Sequence, residues 1–158
     1  MPSSGEPVVV YTDGACLRNP GPGGWAWAVS EEWYRSGFEP KTTNQRMELF
    51  AVIQAVEAFP GHVRIVSDST YVVNCFKNKW YLAWRANGWR NAQKKPVANR
   101  DLWEPLVEEV VDRRPGEIEL AWVKGHAGVP MNELADLLAT EAARLQRLSW
   151  AEPSSQGR

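Results

Sequence analysis

Two short apolar runs, each ending on an aspartate, constrain this chain more than any other feature. Val8-Val9-Val10-Tyr11-Thr12 leads into Asp13, and Val63-Arg64-Ile65-Val66-Ser67 leads into Asp68. Runs of this length and β-branched content read as buried strands. Asp is normally exposed, so an aspartate that closes such a run is in an unusual place for a solvated charge. Between the runs lies a helical pattern that Thr43 or Asn44 can cap. Its apolar positions include Met47, Phe50, Ala51, Ile53, Ala55 and Phe59, and Pro60-Gly61 stops it. A helix joining two strands points to a right-handed crossover and parallel neighbours. Both aspartates would then lie at the carboxyl ends of adjacent strands, where open α/β sheets form their sites.

The remaining pattern fills in the layers. Asn19-Pro20-Gly21-Pro22-Gly23-Gly24 is a turn cluster. Trp25 to Ser30 and Trp33 to Phe38 read as strands joined at Glu31-Glu32. After Asp68 come short helical segments over 70–76 and 80–87, then a helix from Asn99, which can cap it, to about Asp112. A strand over 117–123 follows, then a loop, Lys124-Gly125-His126-Ala127-Gly128, and a helix from Pro130 to about Leu148. The order β-β-β-α-β-α-α-α-β-α predicts an α/β fold: a five-stranded mixed sheet, partly an antiparallel meander, flanked by helices.

A chain of 158 residues fits one domain. It is expected to span 1–148, with 149–158 as a flexible tail. No apolar run is long enough for a bilayer span, and no basic-then-apolar leader opens the chain. Cys16 and Cys75 lack metal-like spacing, so a reducing, cytoplasmic setting is expected. Charge is unevenly spread. From Ser69 to Arg100 there is no Asp or Glu but there are seven Lys and Arg, so the rest must carry −8 to reach the total of −1. A basic segment of this kind implies an anionic partner. It also carries Trp80, Trp84 and Trp89. These either stack on sugars and bases or pack the short helices onto the body.

Four acids stand out: Asp13 and Asp68 at strand ends, Glu48 near the start of the first helix, and Asp136 in the first turns of the last. Oxygen clusters of this sort suit hard cations such as Mg²⁺. Taken singly, Glu48 and Asp136 have a simpler explanation, because an acid early in a helix is favoured by the helix dipole.

Several segments together are more specific. Tyr-Thr-Asp-Gly-Ala-Cys (11–16), Asn-Pro-Gly-Pro-Gly-Gly (19–24), Thr-Thr-Asn-Gln-Arg-Met-Glu-Leu (42–49) and Ser-Asp-Ser-Thr-Tyr-Val (67–72) come first. Lys-Lys-Pro-Val (94–97), Asn-Arg-Asp-Leu-Trp (99–103), Trp-Val-Lys-Gly-His-Ala-Gly (122–128) and Asn-Glu-Leu-Ala-Asp (132–136) follow. In this order the chain resembles ribonuclease H type 1, in its bacterial form with a basic protrusion, here about residues 77–100. The resemblance implies the ribonuclease H fold and an endonuclease that cuts the RNA strand of RNA/DNA hybrids, leaving 5′-phosphates. It implies two Mg²⁺ ions, with Mn²⁺ as a substitute, held by Asp13, Glu48, Asp68 and Asp136. Asp13 would bridge both ions, Asp68 and Glu48 would serve one and Asp136 the other. His126 matches the family's loop histidine and would help move protons or release product. His62, beside Pro60-Gly61, is expected to be simply solvated.

The resemblance also assigns the substrate face. Asn19, Asn44 and Gln45 would read 2′-hydroxyls and the minor groove. Thr43, Asn99 and Lys41 would form a pocket for a DNA phosphate, with helix capping as the alternative for Thr43 and Asn99. Lys94 and Lys95 are basic contacts. Trp80 is expected to face the DNA strand, while Trp84 and Trp103 pack. The chain is expected to be monomeric, with a single-stranded-DNA-binding protein as a candidate partner. Two alternatives share the pattern: a DNA nuclease of integrase or resolvase type on the same fold, or a hybrid-binding module without catalysis.

Overall fold

In the computed structural model, which describes residues 6–154, the first strand outruns its apolar core. β1 (Val8–Cys16) carries Asp13 in its second half instead of ending there. Two partners explain the length. β4 (Val63–Ser67) pairs with β1 in parallel, from Val8↔Val63 to Thr12↔Ser67, and stops. β2 (Gly21–Ser30) pairs antiparallel and continues to Cys16↔Gly23, so the glycine-rich cluster is half strand. Asp13 therefore lies one residue past the parallel ladder, and Asp68 follows β4 directly.

β3 (Trp33–Thr42) completes the meander, and β5 (Ile118–Trp122) pairs in parallel with β4. The sheet has six strands, not five, in the order β5-β4-β1-β2-β3-β6. The extra strand, β6 (Ser149–Ala151), lies against β3 with Tyr34 opposite Ala151. This corrects the expectation of a flexible tail from residue 149. Main-chain hydrogen bonds to an otherwise open edge hold three residues whose side chains pack little. Residues 155–158 of that expected tail lie outside the described residues.

α1 (Asn44–Ala58) starts at Thr43, whose hydroxyl accepts from the Arg46 N–H at 3.2 Å. α2 (Thr70–Lys77) is capped the same way by Ser69 onto Val72 N. α3 (Trp80–Ala86) and α4 (Arg100–Val107) follow, and α4 runs into a π-helical turn over Glu108–Arg113. α5 (Pro130–Leu145) opens with a proline, whose missing N–H would have no helical partner there anyway. It ends three residues before the expected Leu148, because Gln146 turns into the left-handed region with φ 50°. Its side chain caps Ala142 and Ala143 carbonyls.

The core forms where α1 lies on the sheet: Val10, Ile65, Leu49, Val52, Trp103 and Leu106 are fully or almost fully buried. Close approach of α1 to β1 depends on Gly14. A side-chain carbon there would stand 2.4 Å from the backbone of Met47 and Glu48. This contact sets the backbone of Glu48 against the residue that follows Asp13. Among the described residues, no helix is long and apolar enough to cross a membrane.

Candidate active site

Four elements deliver the four acids to one end of the sheet. β1 supplies Asp13, the residue after β4 supplies Asp68, α1 supplies Glu48 and α5 supplies Asp136. Asp13 is 6% exposed. Burial and the neighbouring Asp68 charge push its carboxyl up to about 8 against a hydrogen bond from Gly14 N–H, with Asp136 adding both charge and a carboxyl–carboxyl hydrogen bond. Burial also raises Glu48, opposed by a 2.7 Å hydrogen bond from the Ser69 hydroxyl and assisted by the charge on Asp68. Asp68 is held by Asn132, whose amide lies 3.3 Å from Oδ2, and by the Trp122 indole N–H on its carbonyl at 3.2 Å. Among the described residues, none of the four carboxylates forms an ion pair with Lys, Arg or His.

A cluster of like charges without a basic neighbour is costly, and an external cation would relieve it. The donor set is all oxygen, which suits Mg²⁺ or Mn²⁺. Yet among the described residues no three His, Cys, Asp or Glu side chains stand close enough to hold a metal ion by themselves. Each of Asp13, Glu48 and Asp68 is instead held by a hydrogen bond, from Gly14, Ser69 and Asn132 respectively. Mg²⁺ keeps several waters and takes phosphate oxygens as ligands, so an open carboxylate face fits it better than a closed cage would.

His126 is exposed on the loop between β5 and α5 and has φ 56°. The loop is tied at both ends: Val123 N–H donates to Ser67 O, and Gly128 N–H donates to Glu133. Gly125 lies against Asp68 so closely that a side-chain carbon would be 2.7 Å from Oδ2. The histidine is therefore the next residue along from one that touches the carboxylate cluster.

The profile of the family described as RNase H matches residues 5–144. The chain belongs to the ribonuclease H family. A ribonuclease H from Symbiobacterium thermophilum is 47% identical over 140 residues, covering 85% of this chain and 93% of that protein. One from Erythrobacter litoralis is 48% identical over 144 residues, covering 88% and 97%. Among solved structures, LC9-RNase H1, a type 1 RNase H with the type 2 active-site motif, superposes with a TM-score of 0.73 at 32% identity. That match covers 94% of this chain and 78% of the other. A foamy viral protease-reverse transcriptase in complex with RNA/DNA hybrid superposes with a TM-score of 0.70 at 30% identity, covering 87% of this chain and 20% of that one.

The residues expected on the ribonuclease H substrate face divide into three groups. Asn19 accepts from Asn44 N–H at 3.1 Å, and Thr43, Asn44 and Gln45 open α1, so these four form one cluster at a helix N-terminus. Thr43 does cap α1. Asn99 stands at the N-cap of α4, where its carbonyl accepts from Leu102 and Trp103 N–H, but its side chain does not cap the helix and its backbone is left-handed with φ 61°. Its Oδ1 accepts from Arg46 at 3.3 Å and its Nδ2 donates to the Tyr71 hydroxyl at 3.1 Å. Arg46 also forms a two-point pair with Asp101. Lys41 is exposed at the end of β3.

In the basic segment, Arg85 pairs with Asp112 and Arg100 with Glu104, so part of its charge is used within the fold. Lys94 and Lys95 are exposed in a turn closed by Arg90↔Pro96. The tryptophans pack onto each other more than expected: Trp89 is buried, and Trp84 touches Trp80, Trp89 and Trp103. Trp80 is half-buried on Trp84. His62 is not simply solvated either, since its Nε2 meets Glu119 across β4 and β5.

Two residues touching the carboxylates were not singled out from sequence, Ser69 and Asn132. Both had a readable signal. Serine just before a helix is a favoured cap, and Asn132 lies four residues before Asp136, on the same helix face.

Proposed function

We propose that this chain, an endoribonuclease acting on RNA/DNA hybrids, cuts the RNA strand at the face lined by Asp13, Glu48, Asp68 and Asp136, with two divalent cations as cofactors. One observation carries the reading: four acids from four elements share that face with no basic partner among the described residues, and Asp13 is pushed up to about 8 by burial and its acidic neighbours. Mg²⁺ or Mn²⁺ bound there would supply a water nucleophile at neutral pH and charge stabilisation for the phosphate. Asp13 is the residue best placed to serve both ions, because it faces both Asp68 and Asp136. Glu48 and Asp68 would hold one ion and Asp136 the other. His126 moves a proton to or from the reacting oxygens. Thr43, Lys41 and Asn99 bind a phosphate of the DNA strand, Asn19, Asn44 and Gln45 read the RNA 2′-hydroxyls, and Lys94, Lys95 and Trp80 extend the DNA interface. Products carry 5′-phosphates. The enzyme acts as a monomer in a reducing cytoplasm, where its two cysteines stay free.

The test uses end-labelled RNA/DNA hybrid, RNA duplex, DNA duplex and single-stranded RNA, with Mg²⁺ and with chelator, alongside Asp13→Asn. The expected result is metal-dependent cutting of the hybrid's RNA strand alone, absent from the variant. Binding without cutting would leave a hybrid-recognition module. Cutting of DNA would move the chain to the integrase or resolvase side of the fold.

A further inference from the structure

We propose that Asn132 is a positioning residue that orients the Asp68 carboxylate for its cation; this rests on the reading of Asp68 as a metal ligand. The residue is 1% exposed, in the first turn of α5. An amide this deep is costly unless its groups are hydrogen-bonded. Its amide lies 3.3 Å from Asp68 Oδ2. An ionised carboxylate can only accept, so the amide nitrogen must face it. Gly125 packs against the same oxygen from the loop side, where a side-chain carbon would come within 2.7 Å. The Trp122 indole fixes the Asp68 backbone at its carbonyl. Oδ2 is thus confined from two sides.

The position of Asn132 makes the link specific. It lies one turn before Asp136 on the same face of α5, so one helix both supplies an acid and aims another. Partners of metal ligands set the ligand's orientation, and their loss typically weakens metal binding by about 10–100-fold.

The experiment is calorimetric titration of Mn²⁺ into the metal-free chain without nucleic acid, for the wild type, Asp68→Asn, Asn132→Ala and Asn132→Leu. Leu keeps the branch point and heavy-atom count of Asn without its donor, so it decides the outcome if Ala disturbs folding. The expected result is that Asp68→Asn loses cation binding and both Asn132 variants bind about 10-fold more weakly. The metal concentration giving half-maximal hybrid cleavage should rise in parallel, with KM for hybrid unchanged at saturating metal. If the Asn132 variants bind as tightly as wild type while Asp68→Asn does not, the inference is overturned and the reading of Asp68 stands. A lower melting temperature in chelator with unchanged metal affinity has the same consequence, since the role is then purely structural. If Asp68→Asn binds like the wild type, the reading of Asp68 fails and takes the inference with it.

Discussion

Asp13 stores the conflict on which the site depends. Its carboxyl is pushed from 3.8 to about 8, first by burial and then by Asp68. The folded metal-free chain therefore binds this proton more tightly than the unfolded chain does. Between those two values stability falls as pH rises, by on the order of 1 kcal/mol per unit, and the loss is complete above the folded value. Asp13→Asn has no such proton. Melting in chelator should show the variant's advantage over wild type widening from about pH 4 to pH 8 and flattening beyond, while its cleavage activity is abolished. Saturating Mg²⁺ should narrow that gap by stabilising only the wild type. Equal pH dependence for both proteins would mean that Asp13 titrates normally. At this scale the sequence was largely legible. Asp13 and Asp68 stood out because a charge at the end of an apolar run needs a reason to be there. Ser69 and Asn132 did not, because short polar residues near helix starts have a commoner explanation as caps.

Elements set the distances between these residues, and β1 against α1 is a close joint. Gly14 is what lets the helix backbone at Met47 and Glu48 lie on the strand. Gly14→Ala forces that joint open or distorts it, at a cost of about 1–3 kcal/mol. It also shifts the backbone that carries Glu48. Chemical denaturation should show the loss of stability, and kcat should fall by more than KM rises. A variant with wild-type stability and activity would show that the joint has slack. Ser69 works in the same way between elements: one hydroxyl caps α2 and donates to Glu48, so helix and site share it. Periodicity predicted α1, α2 and α5 to within a few residues, because their caps and apolar faces are local. It missed the extension of β1 to Cys16, since that half is held by pairing with the glycine-rich segment that follows, whose composition reads as a turn. It also missed the change of pitch after α4, which follows Pro105 inside the helix.

Across the molecule, charge and edge closure matter most. Arg85 and Arg100 are engaged with Asp112 and Glu104, while Lys77, Lys79, Lys94 and Lys95 are exposed, and the last two stand together in one turn as cations for a phosphate backbone. Lys94→Glu with Lys95→Glu should raise KM for hybrid at least about 10-fold at moderate salt and leave kcat nearly unchanged. The salt dependence of log KM should become shallower by about one unit for each phosphate that is no longer neutralised. An unchanged slope would remove these lysines from the interface. At the opposite side of the sheet, β6 covers the outer edge of β3 with three residues. Truncation after Leu148 should lower the melting temperature by several degrees, about 1 kcal/mol, and leave cleavage at room temperature intact. Loss of activity in that variant would mean that β6 does more than close an edge.

The element order, the parallel pairing of the two Asp-bearing runs and the four acids were all readable from the chain alone, because they follow from local periodicity and from motifs whose residues are close in sequence. Packing settled the rest. It made Trp89 part of the interior, took Arg85 out of the basic face, sent the Asn99 side chain to Arg46 and Tyr71 instead of to the cap, and paired Ser149–Ala151 as a sixth strand. Each of these outcomes depends on which residue meets another across tens of positions. The free energy of such a meeting lies in burial and pairing, which no local pattern encodes.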